Sequence, residues 1–162
     1  MPILPEPQTV VLDSSALLAY LADETGAEMI ELILAAAAQG HLQVVSPTLC
    51  MAEALAVAVP SLGPDRMEDF RAAVEQLPVT ALPLGFQAAL DAAVARLAWR
   101  LQLPDAAAAV AAQAPGAILL TANPQFVAYE RSGGKIYWVG SEDRRNELTL
   151  FDPFARFRAA AL

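Results

Sequence analysis

Basic residues are missing from the first 65 positions of this 162-residue chain, and the whole sequence holds a single cysteine, a single histidine and a single lysine. Each scarcity excludes a class of chemistry. With Cys50 alone, no internal disulfide and no thiolate zinc cluster can form. A Ser-His-Asp triad would have to use His41, which follows Gly40 at a helix stop and reads as a solvated loop residue. The net charge is −8, and Arg66 is the first cation. Arg96, Arg100, Arg131, Lys135, Arg144, Arg145, Arg156 and Arg158 make the last third mildly basic. The acidic balance therefore argues against broad nonspecific attraction to nucleic acid, which comes from Lys and Arg on phosphates, but does not exclude a local basic strip. Long hydrophobic runs are absent too. Pro60, Pro104, Pro115 or charges break every apolar stretch before the roughly 20 residues that a membrane span needs. The start Met1-Pro2-Ile3-Leu4-Pro5-Glu6 lacks the basic region and apolar core of a signal peptide. The expectation is a cytoplasmic protein without a membrane segment.

What is present is an apolar chain, 56% hydrophobic, long enough for one domain with a real core. Its strand and helix signals alternate. Thr9 to Asp13 reads as a buried strand, with Ser14 or Ser15 capping the helix that begins Ala16-Leu17-Leu18. Thr25 and Glu28 form a capping box for a helix that Gly40 ends. Leu42 to Val45 is a second strand, and Ser46-Pro47 opens a helix that Pro60 terminates. Helices are expected over about 64–75, up to Leu101 and over 104–113, with strands at Val79–Leu82, Ala117–Leu120 and Ile136–Val139. Strands separated by helices imply right-handed crossovers and a mainly parallel sheet of about five strands, covered on both faces. The alanine-rich stretches read as close-packed helices. Residues 1–140 are taken as one domain and 141–162 as a C-terminal extension.

Three acids stand in apolar surroundings, Asp13, Glu53 and Asp105, and Asn123 closes the segment Leu119-Leu120-Thr121-Ala122-Asn123. Singly, each has an ordinary role. Asp13 suits a strand end or a cap, Asp105 beside Pro104 suits a helix first turn, and Asn123 before Pro124 is an N-cap pattern. Glu53 shares a helix face with Leu49, Ala56 and Val57, the stripe expected to face the protein. A carboxylate there must go neutral, pair with a cation, bind metal or reach out to the rim. As a set they point to chemistry: strand-end and helix positions of a parallel sheet converge on one cleft, and hard oxygen donors suit magnesium or manganese.

Four motifs in order resemble the PIN-domain nucleases, and within them the VapC-type toxins of bacterial toxin-antitoxin pairs. They are Val11-Leu12-Asp13-Ser14-Ser15-Ala16-Leu17, Ser46-Pro47 leading to Ala52-Glu53-Ala54-Leu55, Leu103-Pro104-Asp105-Ala106, and Leu120-Thr121-Ala122-Asn123-Pro124-Gln125-Phe126. The resemblance implies a three-layer α/β/α fold whose acids Asp13, Glu53 and Asp105 bind Mg2+ or Mn2+ and hydrolyse RNA. Ser15 and Thr121 would be hydroxyls near that set, and Asn123 a weak contributor to the cation. It also implies a homodimer and a small antitoxin partner. The sequence departs from the family at Asn123, where Asp is usual, which removes one negative charge from the cation's surroundings.

Two other readings stand beside the ribonuclease. A PIN-like binding or regulatory module without catalysis is favoured by Asn123 and the acidic balance. A phosphoryl-accepting receiver or phosphatase built on Asp13 keeps only Lys135 in its favour, since no Gly-rich phosphate loop exists. In the extension, Arg144, Arg145, Phe151, Phe154, Arg156, Phe157 and Arg158 could contact RNA, but the stronger reading is that Phe154 and Phe157 at helical spacing dock the tail on its own domain or a dimer partner.

Overall fold

Strands form where the sequence places its aliphatic and β-branched runs. They are β1 Gln8–Leu12, β2 Leu42–Pro47, β3 Thr80–Leu82, β4 Ile118–Thr121 and β5 Ile136–Trp138. The computed structural model describes residues 8–140, so the extension at 141–162 lies outside the described residues. The five strands build one sheet in the order β3-β2-β1-β4-β5, with every neighbouring pair parallel. Among the described residues seven α-helices accompany it: α1 Ser14–Leu21, α2 Ala27–Ala38, α3 Thr48–Leu62, α4 Met67–Glu75, α5 Phe86–Trp99, α6 Leu103–Ala111 and α7 Val127–Arg131.

Successive strand residues point to opposite faces, and the core divides accordingly. Val10, Leu12, Val44, Ile118 and Leu120 join Leu17 of α1 and Ile30 and Ile33 of α2 on one face. Val11, Val45, Leu119 and Ile136 join Ala92 and Ala95 of α5 and the run Ala106 to Ala109 of α6 on the other. The result is the expected α/β fold in three layers, α/β/α, with a parallel sheet of five strands. Ala106 to Ala109 are all buried. Such small side chains allow α6 to approach the sheet and α5 closely, as the alanine-rich composition predicts.

The strand order positions the site. From central β1 the chain steps outwards through β2 to β3, then returns to β4 on the other flank of β1. The direction of winding reverses between β1 and β4, the switch point at which parallel sheets of this kind leave a crevice beyond their C-terminal ends.

Four local expectations change. Asp13 lies beyond β1 and caps α1 itself, its Oδ1 accepting from the Ala16 N–H, so neither Ser14 nor Ser15 is the cap. The start of α2 has no Thr25–Glu28 capping box. Gly26 caps it at φ 95°, pressed so closely on Val139 and Gly140 that a Cβ would lie 2.7 Å from both residues. Ser46 is a strand residue whose hydroxyl donates to the Leu12 carbonyl at 2.8 Å, and α3 begins at Thr48. Pro60 does not end α3, which runs on to Leu62. Pro60 sits exposed in the last turn, and Ala56, one turn earlier and also exposed, has a carbonyl that loses its helical donor and can turn to water.

Candidate active site

Both ends of the β1–β4 crevice are built from residues that leave the sheet. Asp13 is the first residue after β1, and its carboxylate is fully buried. Oδ1 accepts from the Ala16 N–H at 2.8 Å and from the Ser15 hydroxyl at 2.7 Å. Oδ2 accepts from the Thr121 hydroxyl at the end of β4. The two hydroxyls lie 3.2 Å apart. Each also accepts a backbone N–H, Ser15 Oγ from Ala122 and Thr121 Oγ1 from Asn123, both at 2.9 Å. The turn after β4 is thus laced onto the first turn of α1 through one carboxylate.

Asp105 stands in the first turn of α6 and is buried. Its Oδ2 accepts from Asn123 Nδ2 at 3.1 Å, while Asn123 Oδ1 accepts from the Gln125 N–H at 3.0 Å and caps the short 3-10 turn Pro124–Phe126. Glu53 comes from α3 and is half-buried. The face assigned to it from sequence is wrong, because Ala56 and Val57 are exposed. Cys50 and Ala54 are the buried residues of α3, with Met51, Leu55 and Ala58 half-buried against the core. Glu53 is held by Ser14, whose hydroxyl donates to Oε2.

Two contributors were invisible as such in the sequence. Ser14 read as a cap, yet its proximity to Asp13 is what delivers a donor to Glu53. Cys50 served in the sequence only to exclude a disulfide and a zinc cluster; its thiol donates to the Pro104 carbonyl at 3.2 Å and ties α3 to the start of α6, the helices that carry Glu53 and Asp105. Burial and the surrounding acids push that thiol far up, so it is no nucleophile at neutral pH.

Electrostatics marks the cluster as under tension. Burial pushes Asp13 up to about 6 against the opposing pull of Thr121, Ala16 and Ser15, with Glu53 adding repulsion. Burial also pushes Asp105 up to about 6, followed by repulsion from Asp13 and Glu53 and opposed by Asn123. The hydrogen-bond partners named above are all neutral. Three mutually repelling carboxylates with neutral donors suit a divalent cation in charge and in ligand hardness. Among the described residues, however, no group of three or more His, Cys, Asp or Glu stands close enough to hold one ion together. The arrangement therefore fits a hard cation held through one or two carboxylates and keeping much of its water, as Mg2+ does, and does not fit a closed cage of protein ligands.

Lys135 is placed elsewhere. It precedes β5 and lines a cleft with Trp99, Gln113, Gly116 and Tyr129, at the N-terminal ends of β4 and β5. That leaves a phosphoryl-accepting site at Asp13 without its lysine. His41 is exposed, and no described helix is long and apolar enough to cross a membrane.

A model of the family described as PIN domain matches residues 10–132. Two solved structures share the fold. One is VapBC2 from Rickettsia felis bound to a DNA fragment from its promoter, at TM-score 0.59 and 13% identity, covering 81% of this chain and 98% of that chain. The other is a toxin-antitoxin complex from Klebsiella pneumoniae, at TM-score 0.51 and 18% identity, covering 73% of this chain and 90% of that chain. No curated protein matches the sequence.

Proposed function

The chain belongs to the PIN domain family, and from that premise we propose that it is a metal-dependent endoribonuclease, the toxin of a toxin-antitoxin pair. The observation that carries this reading is the meeting of Asp13, Glu53 and Asp105 at the β1–β4 crevice, repelling one another and held by neutral donors. Asp13 and Asp105 would hold Mg2+ or Mn2+. Such a cation, when bound, supplies the positive charge that polarises a phosphoryl oxygen and acidifies water. Glu53, steadied by Ser14, orients the attacking water and accepts its proton. Ser15 and Thr121 keep Asp13 ionised and pointed by donating to both of its oxygens.

Solved complexes of the same fold contain an antitoxin, which supports a small protein partner here. A basic side chain of that partner aimed at the three acids would compete with the cation, because both answer the same unneutralised charge. A homodimer and a cytoplasmic location are part of the same proposal. The competing reading, a binding module without catalysis, draws on the neutral Asn123 and on the lack of a three-ligand cluster among the described residues.

RNA cleavage with Mn2+ or Mg2+ tests both. Wild type should cleave, and Asp13→Asn should lower the rate by roughly 100-fold or more, the loss of a direct ligand exceeding that of an outer-shell partner. A wild type that is inert while Asn123→Asp cleaves would select the binding module instead.

A further inference from the structure

Asn123 is the uncharged member of the cluster, and both ends of its side-chain amide are committed. Oδ1 accepts the Gln125 N–H and Nδ2 donates to Asp105 Oδ2. The neighbours dictate this orientation. A backbone N–H can only give and a carboxylate can only accept, so a flipped amide would oppose N–H to N–H and oxygen to oxygen. The group that Asn123 presents to the acids is therefore a proton donor, and a proton donor cannot ligate a cation.

The rest of the turn behaves alike. Thr121 Oγ1 and Ser15 Oγ each accept a backbone N–H from this turn, at Asn123 and Ala122. An ionised carboxylate has no proton to give, so both hydroxyl protons point at Asp13. We infer that Asn123 is a positioning residue for Asp105, the end of a Thr121–Asn123 turn that aims both aspartates by donated hydrogen bonds, and is not itself a ligand. This deepens the cation reading above and rests on it. It also accounts for the residue type. Aspartate at 123 would keep the cap but offer no donor, whereas asparagine keeps the cap and adds one.

The test uses the full chain and Mn2+ alone, with wild type compared to Asn123→Ser. Serine can still accept the Gln125 N–H and preserve the cap, but its shorter side chain does not carry a donor to Asp105. Calorimetry should give an Mn2+ affinity about tenfold weaker for Asn123→Ser, the scale of losing an outer-shell hydrogen bond. In wild type, NMR should show one Asn123 side-chain N–H shifted by hydrogen bonding and protected from exchange, with and without Mg2+. Equal Mn2+ affinity of the two proteins overturns the inference, and so does loss of that protection on adding Mg2+, the signature of the oxygen swinging to the ion. Should Asn123→Ser melt early, the NMR result on wild type decides alone. A wild type that binds no Mn2+ yet keeps the protected N–H would remove the cation reading and leave the donor role standing.

Discussion

Asp13 and Asp105 each sit at about 6 in the fold against an ordinary 3.8. Between those values the folded protein retains protons that the unfolded chain has released. Their contribution is thus fully present below about pH 4 and is lost as pH rises through 6. A shift of this size is at most about 3 kcal/mol for one group, and the two are coupled, so they do not simply add. Asp13→Asn removes the penalty at Asp13. Its stability relative to wild type, from chemical denaturation without metal, should improve between pH 5 and pH 7.5, and Mg2+ should narrow the gap by favouring the wild-type carboxylates. A difference that stays flat across that range would contradict the burial-driven shift. The residues themselves were legible in sequence, because a lone acid amid aliphatics is conspicuous. Their donors were not, since Thr121 reaches Asp13 across 108 positions.

Among the elements, the helices show how local signals yield to packing. The capping box at Thr25 and Glu28 is a sound local pattern, but the chain after β5 crosses so near Gly26 that only a residue without a Cβ fits. Pro60 is tolerated because its missing hydrogen bond falls on an exposed last turn. The link from α7 to β5 shows the same dependence in testable form. A Cβ on Gly134 would lie 2.3 to 2.5 Å from the ring of Tyr129, and that ring is buried edge-on against Trp99, with centroids 5.0 Å apart. An aromatic ring so enclosed cannot swing aside cheaply. Gly134→Ala should cost about 1–3 kcal/mol, the range for overpacking, read as a lower denaturation midpoint with an unchanged slope. A variant as stable as wild type would mean that the ring is free to move.

At the scale of the molecule, the exposed large apolar side chains of the described residues are distributed unevenly. Phe86, Leu90, Val94 and Leu97 recur at helical spacing along α5, and Phe86 and Leu97 are 82% and 83% exposed. Side chains that bury so little in the monomer stabilise it little, so Leu97→Gln should change monomer stability by no more than about 0.5 kcal/mol. Contiguous exposed apolar side chains mark contact surfaces in soluble proteins. If the proposed homodimer closes over it, Leu97→Gln combined with Phe86→Ser should shift the mass measured by light scattering from dimer to monomer. A wild type that is already monomeric, or a variant that stays dimeric, would exclude this face.

The sequence by itself determined the fold class and the identity of the acids. Aliphatic runs spaced by helical segments leave few arrangements other than a covered parallel sheet, and Val10, Val11 and Leu12 already state which side chains face which layer. It also determined that the metal-binding chemistry, if any, would be that of hard oxygens, because one cysteine and one exposed histidine offer nothing else. Only the tertiary structure decided what each polar side chain does. Crossing from β3 past β2 and β1 along one face of the sheet to β4 brings Thr121 and Asn123 beside Asp13 and Asp105, and burial then makes every donor count. In water an asparagine amide has no preferred end, but between a backbone N–H and a carboxylate it has one.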